Sequence, residues 1–204
     1  MKYCMLKRAF DIIFALIFLI LLIPLFLIIA IFISIDSRGS IFFKQTRVGK
    51  NGKKFTLYKF RSMYNFKSNN MLITVNNDER ITRVGKFIRK TKLDELPQLF
   101  NILKGDMSFV GPRPEVPKYV ELYTPQQRKV LTVRPGLTDY ASLKFINESE
   151  LLTYADNPEE YYIKVIMPKK IEYSLEYIKK QNFYTDIVIL LKTFLKLFRI
   201  CKTK

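Results

Sequence analysis

Histidine is absent from this sequence of 204 residues, and cysteine is nearly so. Without histidine, a catalytic triad built on an imidazole and a metal site ligated by imidazoles are both excluded. The two cysteines, Cys4 and Cys201, lie near opposite ends of the chain. Such a pair gives no disulfide framework and is typical of a reducing compartment.

Acidic residues are scarce relative to basic ones. The chain has 35 lysines and arginines against 18 aspartates and glutamates, which gives a formal net charge of +17. This excess indicates a polyanionic partner: a nucleic acid, an anionic membrane surface or a phosphorylated substrate. The length and the 49% hydrophobic content are sufficient for one compact domain with an apolar appendage.

Charge is missing altogether from residues 12–33, which read IIFALIFLILLIPLFLIIAIFI. As a straight helix, this run would extend roughly 33 Å, which is enough to cross a bilayer. A secretory signal peptide is disfavoured, because the run is longer than an ordinary signal core and the following SIDSRGS lacks a small-residue cleavage pattern. The sequence therefore predicts attachment to a membrane.

Pro24, in the middle of this run, leaves two topologies open. Lys7 and Arg8 precede the run and a strongly basic region follows it, so both flanks favour the cytoplasmic side. A proline removes one backbone donor and clashes with the preceding turn, which can bend the helix back as a re-entrant hairpin. Prolines are also tolerated in spanning helices, so a kinked single-pass anchor is the alternative.

The region after the anchor mixes strands and helices. Residues 41–46 and 54–60 predict two strands joined by a Gly-Lys-Asn-Gly turn, and residues 64–80 predict a polar surface loop. Residues 81–91 predict a helix with one apolar face, formed by Ile81, Val84, Phe87 and Ile88. The sequence contains no P-loop, no Rossmann glycine pattern and no internal repeat.

A second amphipathic segment, DIVILLKTFLKLFRICKTK, ends the chain at residues 186–204. Lys192, Lys196 and Arg199 fall at helical spacing along one stripe, and nearly every other residue is apolar. This pattern predicts a helix that lies in a membrane interface. A core helix with one solvated edge is the alternative.

Two adjacent acids, Asp94 and Glu95, stand shortly before Pro97. Proline is tolerated only in the first turn of a helix, so a helix is expected to begin close to the acids. Asp94 could then be an N-cap and Glu95 a first-turn charge, or the carboxylates could bind Mg²⁺ or attack phosphorus. Arg113 follows on a stiff Pro-Arg-Pro loop, either as a solvated side chain or as a held guanidinium.

Together these segments resemble a known family. The resemblance is carried by LKRAFDIIFAL, FFKQTRVGKNGKKFTLYKFRSM, RVGKFIRKTKLDELPQLFNILKGDMSFVGPRPE and VRPGLT. The chain is similar to the bacterial sugar transferases, the monotopic polyprenyl-phosphate phosphoglycosyl transferases, in their minimal short form. The resemblance implies an α-rich α/β fold with a re-entrant membrane anchor at residues 1–36, which favours the hairpin. A small cytoplasmic catalytic domain at residues 37–182 and an interfacial helix at residues 183–204 are also implied.

The resemblance also implies a reaction. A phosphosugar would move from a UDP-sugar to polyprenyl phosphate, in most cases undecaprenyl phosphate, with release of UMP and with Mg²⁺ as cofactor. Asp94 aligns with the family's nucleophile and Glu95 with the second acid, and both are candidate metal ligands. The cations expected around the phosphates are Lys59, Arg61, Arg89, Arg113 and Arg134. The enzyme would serve a surface-glycan pathway from the cytoplasmic face of the bacterial inner membrane, in contact with its anionic lipids.

One segment departs from the family pattern. After RPGLT the chain reads DYASLKFINESELL, which gives Asp139 and Lys144 no assigned role and leaves the sugar open. A membrane-tethered nucleic-acid binder would have no use for the paired acids or for Arg113, so no nucleic-acid partner is expected. An inactive scaffold would be supported by the loss of Asp94 or Arg113, and both residues are present.

Overall fold

The computed structural model describes residues 2–64, 73–75 and 78–202, without the side chains of residues 2 and 199–202. The predicted mixed α/β, helix-rich fold is confirmed. The helices are α1 (Lys2–Leu21), α2 (Ile23–Asp36), α3 (Arg83–Lys90), α4 (Gln98–Lys104), α5 (Pro117–Val120), α6 (Tyr140–Lys144), α7 (Glu148–Thr153), α8 (Pro158–Tyr161), α9 (Met167–Lys180) and α10 (Phe183–Lys202). The strands are β1 (Phe42–Val48), β2 (Lys54–Phe60), β3 (Ser108–Val110) and β4 (Gly136–Thr138).

The predicted β-hairpin is present. Strands β1 and β2 pair antiparallel with Thr46 opposite Thr56. The turn between them places Asn51 and Gly52 at positive φ, 57° and 76°, a backbone region that asparagine and glycine enter at low cost. Strand β1 runs on to Val48, two residues beyond its predicted end, because Arg47 and Val48 also pair with β2, opposite Phe55 and Lys54. The Val48 N–H donates to the Glu115 carbonyl at 2.9 Å.

A second, parallel pair joins β3 to β4, with Ser108 opposite Gly136. Beyond it the backbones of Gly111 and Gly136 touch: a Cβ built on Gly136 would lie 2.2 Å from the Gly111 nitrogen. The Gly136 N–H in turn donates to the Pro112 carbonyl at 3.0 Å. This contact fixes the start of the loop that carries Arg113.

Helices α1 and α2 form a bent pair, with an angle of 61° at the break. The bend falls at Leu22, two residues before Pro24, which cannot donate to the carbonyl four residues earlier. Within the described residues no single helix is both long and apolar enough to cross a membrane, whereas this bent pair is, judged by length and composition.

Both arms of the bent pair pack against the rest of the protein. Ala15 of α1 is buried in the same cluster as Leu99 of α4, and Ile33 of α2 is buried with Phe60 and Ile88. The outward faces of both arms are apolar and exposed: Ile12, Ile13, Leu16, Ile17, Ile20, Leu21, Ile23, Leu27, Ile28, Ile31, Phe32 and Ile35. Such a contiguous apolar surface indicates contact with lipid or another apolar partner.

Polar contacts fasten the outer ends of the pair. Arg8 of α1 donates to the carbonyls of Ile102 at 2.7 Å and Leu103 at 3.0 Å. At the end of α2, the Asp36 carboxylate accepts from the Val84 N–H at 3.0 Å. The start of α1 and the end of α2 are therefore held by the same body of protein.

Helix α10 has a buried side and an exposed apolar side. Ile189 is fully buried, and the Asp186 carboxylate accepts hydrogen bonds from Lys7 at 2.5 Å and Tyr177 at 2.7 Å. The opposite side exposes Leu191, Phe194, Leu195 and Phe198. The buried side is as expected for the core alternative, and the location of the exposed apolar side in a membrane interface stays a prediction. The Arg199 side chain of the predicted basic stripe lies outside the described residues.

Two details of the predicted helix at residues 81–91 are wrong. The helix α3 begins only at Arg83, capped by the Thr82 hydroxyl, which accepts from the Gly85 N–H. Phe87 is exposed rather than buried, and the buried positions of α3 are Gly85 and Ile88. The predicted loop at residues 64–80 lies partly outside the described residues, in its stretches 65–72 and 76–77.

Candidate active site

The paired acids lie on a single 3₁₀ turn, Leu93–Glu95. Lys92 enters it with a positive φ of 58°, and α4 begins after Pro97. The helix start near the acids is confirmed. The N-cap interpretation of Asp94 is wrong, because neither the turn nor α4 has a side-chain cap hydrogen bond. The structure thus gives Asp94 no helix-capping role.

Glu95 is paired with two cations. Its Oε1 accepts from Lys59 Nζ at 3.2 Å, and its Oε2 accepts from Arg113 Nη1 at 3.1 Å. The second Arg113 nitrogen, Nη2, donates to Oε1, which completes a two-pronged contact. Burial alone would raise the pKa of the Glu95 carboxyl, but the charges of Arg113 and Lys59 outweigh it and hold that pKa well below its usual range. Glu95 is therefore ionised at neutral pH.

Asp94 is more buried than Glu95, but its charge is less well compensated. Its Oδ2 lies 3.9 Å from Lys59 Nζ, and its Oδ1 is buried with no hydrogen-bond partner in the described part of the chain. Burial raises the pKa of Asp94; the Lys59 charge works against this rise and the neighbouring Glu95 charge adds to it. Burial likewise lowers the pKa of Lys59. Asp94 thus has an oxygen to which no described residue donates a hydrogen bond.

One helical turn further on, Gln98 repeats this feature. Its Nε2 is buried and has no hydrogen-bond partner among the described residues. Three residues after Gln98, the Asn101 amide donates to the Thr56 carbonyl at 2.7 Å and accepts from the Tyr58 N–H at 3.1 Å. Gln98 and Asn101 therefore share one face of α4, Asn101 is hydrogen-bonded to β2, and Asp94 lies on the 3₁₀ turn just before that helix. Sequence reasoning missed Gln98, whose signal is a polar residue at helical spacing from Asp94.

The Arg113 loop is also held from the side of β1. Arg47 donates to the Pro114 carbonyl at 3.0 Å and to the Glu115 carboxylate at 3.2 Å. Gln45 accepts from the other nitrogens of Arg47 at 3.1 and 2.7 Å. This contact could not be predicted from the sequence, because residues 47 and 115 are far apart in the chain and only the fold brings them together.

The predicted cations separate into two groups. Lys59 and Arg113 contact the acids directly, and the charge of the half-buried Arg89 helps to lower the pKa of Asp94. Arg61 instead donates to the carbonyls of Ser37 and Arg38, both at 2.6 Å, just after the end of α2. Arg134 donates to the Gly105 carbonyl at 3.0 Å, at the far end of α4 from the acids.

Asp139, which had no assigned role, is structural. It precedes α6 and accepts from the Ser142 N–H at 2.8 Å and the Ser142 hydroxyl at 2.9 Å. Its second oxygen accepts from the Ser174 hydroxyl at 2.7 Å. Asp139 therefore caps α6 and ties it to α9. Lys144 is the last residue of that short helix.

Asp94 and Glu95 differ in how well their carboxylates could bind Mg²⁺. The described residues contain no group of three or more carboxylate or thiol side chains that could enclose a metal. Mg²⁺ is commonly held by one or two carboxylates together with substrate phosphates, and the free Oδ1 of Asp94 fits that pattern. Glu95 fits less well as a metal ligand, since both of its oxygens are taken by Arg113 and Lys59.

Comparison with known proteins identifies the family. The family model described as "Bacterial sugar transferase" matches residues 2–200 of the chain. A protein of Aeromonas hydrophila, named UDP-N-acetylgalactosamine-undecaprenyl-phosphate N-acetylgalactosaminephosphotransferase, is 40% identical over 195 residues, covering 94% of this chain and 43% of that protein. The UDP-glucose:undecaprenyl-phosphate glucose-1-phosphate transferase of Escherichia coli (strain K12) is 38% identical over 200 residues, covering 95% and 40%.

A shorter relative covers more of its own length. The exopolysaccharide production protein ExoY of Sinorhizobium fredii (strain NBRC 101917 / NGR234) is 36% identical over 203 residues, covering 92% of this chain and 83% of that protein. The chain spans about two fifths of the length of the two relatives named before it. The resemblance predicted from the motifs is confirmed, and the chain belongs to the bacterial sugar transferase family.

Proposed function

We propose that the protein transfers a phosphosugar from a UDP-sugar to polyprenyl phosphate, with release of UMP, through a phosphosugar intermediate on Asp94. One observation carries the proposal: a buried Asp94 oxygen with no hydrogen-bond partner among the described residues lies beside a cluster of cations. An anionic substrate would be attracted by the cations, and this carboxylate oxygen is a group able to attack phosphorus. The names of the relatives support this choice of donor and acceptor.

In the first step, an Asp94 oxygen attacks the sugar-bearing phosphorus of the UDP-sugar. The bond from that phosphorus to the bridging oxygen breaks, and UMP leaves with the electron pair. In the second step, a phosphate oxygen of the lipid attacks the same phosphorus and restores the free carboxylate. Each step exchanges one phosphorus–oxygen bond for another, so no further reactant is needed.

The surrounding residues of the site have electrostatic roles in this scheme. Lys59 lies next to both acids and favours the ionised form of Asp94. Glu95 holds Arg113, and the guanidinium can stabilise charge that develops on the phosphoryl oxygens. Bound Mg²⁺, with the Asp94 carboxylate as its clearest ligand in the protein, would neutralise the diphosphate.

The partial reaction tests the proposal. Full-length protein in detergent, given a UDP-sugar and Mg²⁺ without lipid, should release at most one equivalent of UMP and retain labelled phosphosugar on the chain. A panel of UDP-sugars is needed, because the relatives are named for different sugars. Release of UMP only when polyprenyl phosphate is present, with no label on the protein, would instead support direct attack by the lipid phosphate.

The pH dependence of UMP release should follow the ionisation of Asp94. The first step needs the carboxylate, so its rate should rise with pH through the Asp94 pKa. Lys59→Met removes a charge that lowers this pKa, so the acid limb should move to higher pH. Glu95→Gln removes a charge that raises it, so the limb should move to lower pH. Rapid-quench measurement of UMP against pH checks both shifts; displacement in the same direction would contradict the assignment.

We also propose that α1 and α2 form a re-entrant hairpin on the cytoplasmic face of the bacterial inner membrane. The proposal is supported by the bend at Pro24, the exposed apolar faces and the attachment of both outer ends to the same body of protein. Residues 1–36 are then the anchor, residues 37–182 the catalytic domain and residues 183–204 an interfacial helix. The excess of basic residues would favour contact with anionic lipids.

Labelling of the two termini tests this topology. Tags before Met1 and after Lys204 should both be protected from a membrane-impermeant reagent in intact cells. Pro24→Leu restores a backbone donor and should shift part of the population toward a spanning form, with its N-terminal tag now labelled. Labelling of the N-terminal tag in the unmodified chain would show a single-pass anchor instead.

A further inference from the structure

Tyr162 and Glu115 make a buried contact outside the pair of acids. Tyr162 is 4% exposed and begins the π-helical turn Tyr162–Ile166. Its hydroxyl donates to Glu115 Oε2. π-helical turns are rare and are frequently found at functional sites, because they insert one residue and re-aim a side chain. The contact therefore merits a functional explanation.

Glu115 is held by several separate elements. Its Oε1 accepts from Arg47 Nη1 of β1 at 3.2 Å and from the Val116 N–H at 2.8 Å. Its backbone carbonyl accepts from the Val48 N–H at 2.9 Å. With Tyr162 on the remaining oxygen, both carboxylate oxygens and the carbonyl of Glu115 are occupied. Glu115 thus joins β1 to the π-helical turn.

This junction lies two residues beyond Arg113. On the near side of Arg113, the Pro112 carbonyl is fixed by the Gly136 N–H at 3.0 Å. On the far side, the Pro114 carbonyl accepts from Arg47 at 3.0 Å. The backbone that carries Arg113 is therefore fastened at both ends, and the two prolines restrict it further. Because the backbone is fixed, only the Arg113 side chain has to be ordered for the guanidinium to contact Glu95.

We propose that Tyr162 and Glu115 are positioning residues for the phosphoryl-transfer site, and that they act by holding the Arg113 guanidinium against Glu95. The inference deepens the proposed function and rests on it. A group that stabilises developing charge is effective only if it is fixed before the reaction, so loosening its backbone costs rate rather than binding alone. Within the described residues, no hydrogen bond joins Tyr162 or Glu115 to Asp94 or Glu95. Their effect on the reaction rate must therefore pass through Arg113.

Tyr162→Phe is the informative variant, because it removes one oxygen and keeps the ring. Tyr119→Phe is its matched control. Tyr119 is also buried, its ring packs 5.2 Å from that of Tyr162, and its hydroxyl donates to a glutamate, Glu159, at 3.1 Å. Glu159, however, has no contact with the Arg113 loop among the described hydrogen bonds. We expect Tyr162→Phe to lower kcat/KM about tenfold and Tyr119→Phe to change it less than about twofold.

A double-mutant cycle separates positioning from general destabilisation. Arg113→Lys keeps the charge but loses the two-pronged contact with Glu95. In that background Tyr162→Phe should cost less than about twofold, because the geometry it protects is already gone. An equal loss in both backgrounds would mean that Tyr162 is only structural and would overturn the proposal. Glu115→Gln should show the same dependence on Arg113.

Hydrogen–deuterium exchange of the loop gives a readout that does not need turnover. Peptides covering residues 108–120 should exchange faster in Tyr162→Phe and Glu115→Gln than in Tyr119→Phe. Unchanged exchange in both variants would overturn the positioning role even if the enzyme is active. If the unmodified chain turns over no UDP-sugar while the loop still loosens as expected, the proposed function fails and the holding of the loop stands.

Discussion

Replacing Asp94 by asparagine should abolish turnover and leave the protein folded. The amide keeps the size of the side chain but cannot attack phosphorus, so we expect a loss of roughly three orders of magnitude or more in kcat. The measurement is transfer of radiolabelled phosphosugar to polyprenyl phosphate, together with UMP release in the absence of lipid. Both reactions should be lost together, because both begin with the same attack.

Although Asp94→Asn should abolish turnover, it should raise the thermal stability of the protein. Burial raises the pKa of Asp94 in the folded state, so above its unfolded pKa the ionised carboxyl costs stability. Below the unfolded pKa this cost vanishes. At neutral pH the uncharged amide should therefore raise the melting temperature, whereas a helix cap would have made the same change destabilising or neutral.

Asp139→Asn is the matched control for Asp94. Asp139 is also buried and its pKa is also raised by burial, but its oxygens are bonded to Ser142 and Ser174. Its replacement should leave kcat within about threefold of the unmodified chain. Near-normal turnover in well-folded Asp94→Asn would rule out the covalent role and leave the direct route.

Replacing Gly136 by alanine should destabilise the protein severely. The added Cβ would lie 2.2 Å from the nitrogen of Gly111 and 2.7 Å from its carbonyl oxygen, and neither backbone atom is free to move. Overpacking of this kind costs about 3 kcal/mol in free energy of unfolding, and thermal denaturation in detergent measures it. Activity should fall as well, because the Gly136 N–H fixes the carbonyl of Pro112.

Gly49→Ala serves as the control for this substitution. A Cβ there would approach the Phe55 ring no closer than 3.2 Å, and that ring can shift. The expected loss is less than about 1 kcal/mol. If the two variants melt at the same temperature, the backbone contact between Gly111 and Gly136 does not limit stability.

Much of the local structure could be predicted from the sequence, because local features set it. The Gly-Lys-Asn-Gly turn fixes the β-hairpin, and Pro24 fixes the bend between α1 and α2. The proximity of Asp94 and Glu95 follows from their adjacency. The family resemblance predicts Lys59 and Arg113 as cations around the phosphates, and the structure places both against the acids.

The rest depends on contacts between distant segments, which spacing along the chain does not encode. Arg61 and Arg134 were expected at phosphates, yet both donate to backbone carbonyls, because carbonyls left unpaired beyond helix ends attract guanidinium groups. Phe87 fits the apolar face of α3 by periodicity, but the structure buries Gly85 instead. Only glycine fits at position 85, because a Cβ there would lie 2.0 Å from the Ser62 carbonyl oxygen.

Helix α4 connects the bent pair mechanically to the acids. Arg8 of α1 donates hydrogen bonds to the carbonyls of Ile102 and Leu103 near one end of α4, and Asp94 lies just before the other end. A helix of this length is about 10 Å long and does not bend. A change in the tilt of α1 therefore moves α4 with it and changes the depth of Asp94 relative to the membrane surface. Where that arm rests in lipid, the thickness of the bilayer sets how deep Asp94 lies relative to a lipid-borne phosphate.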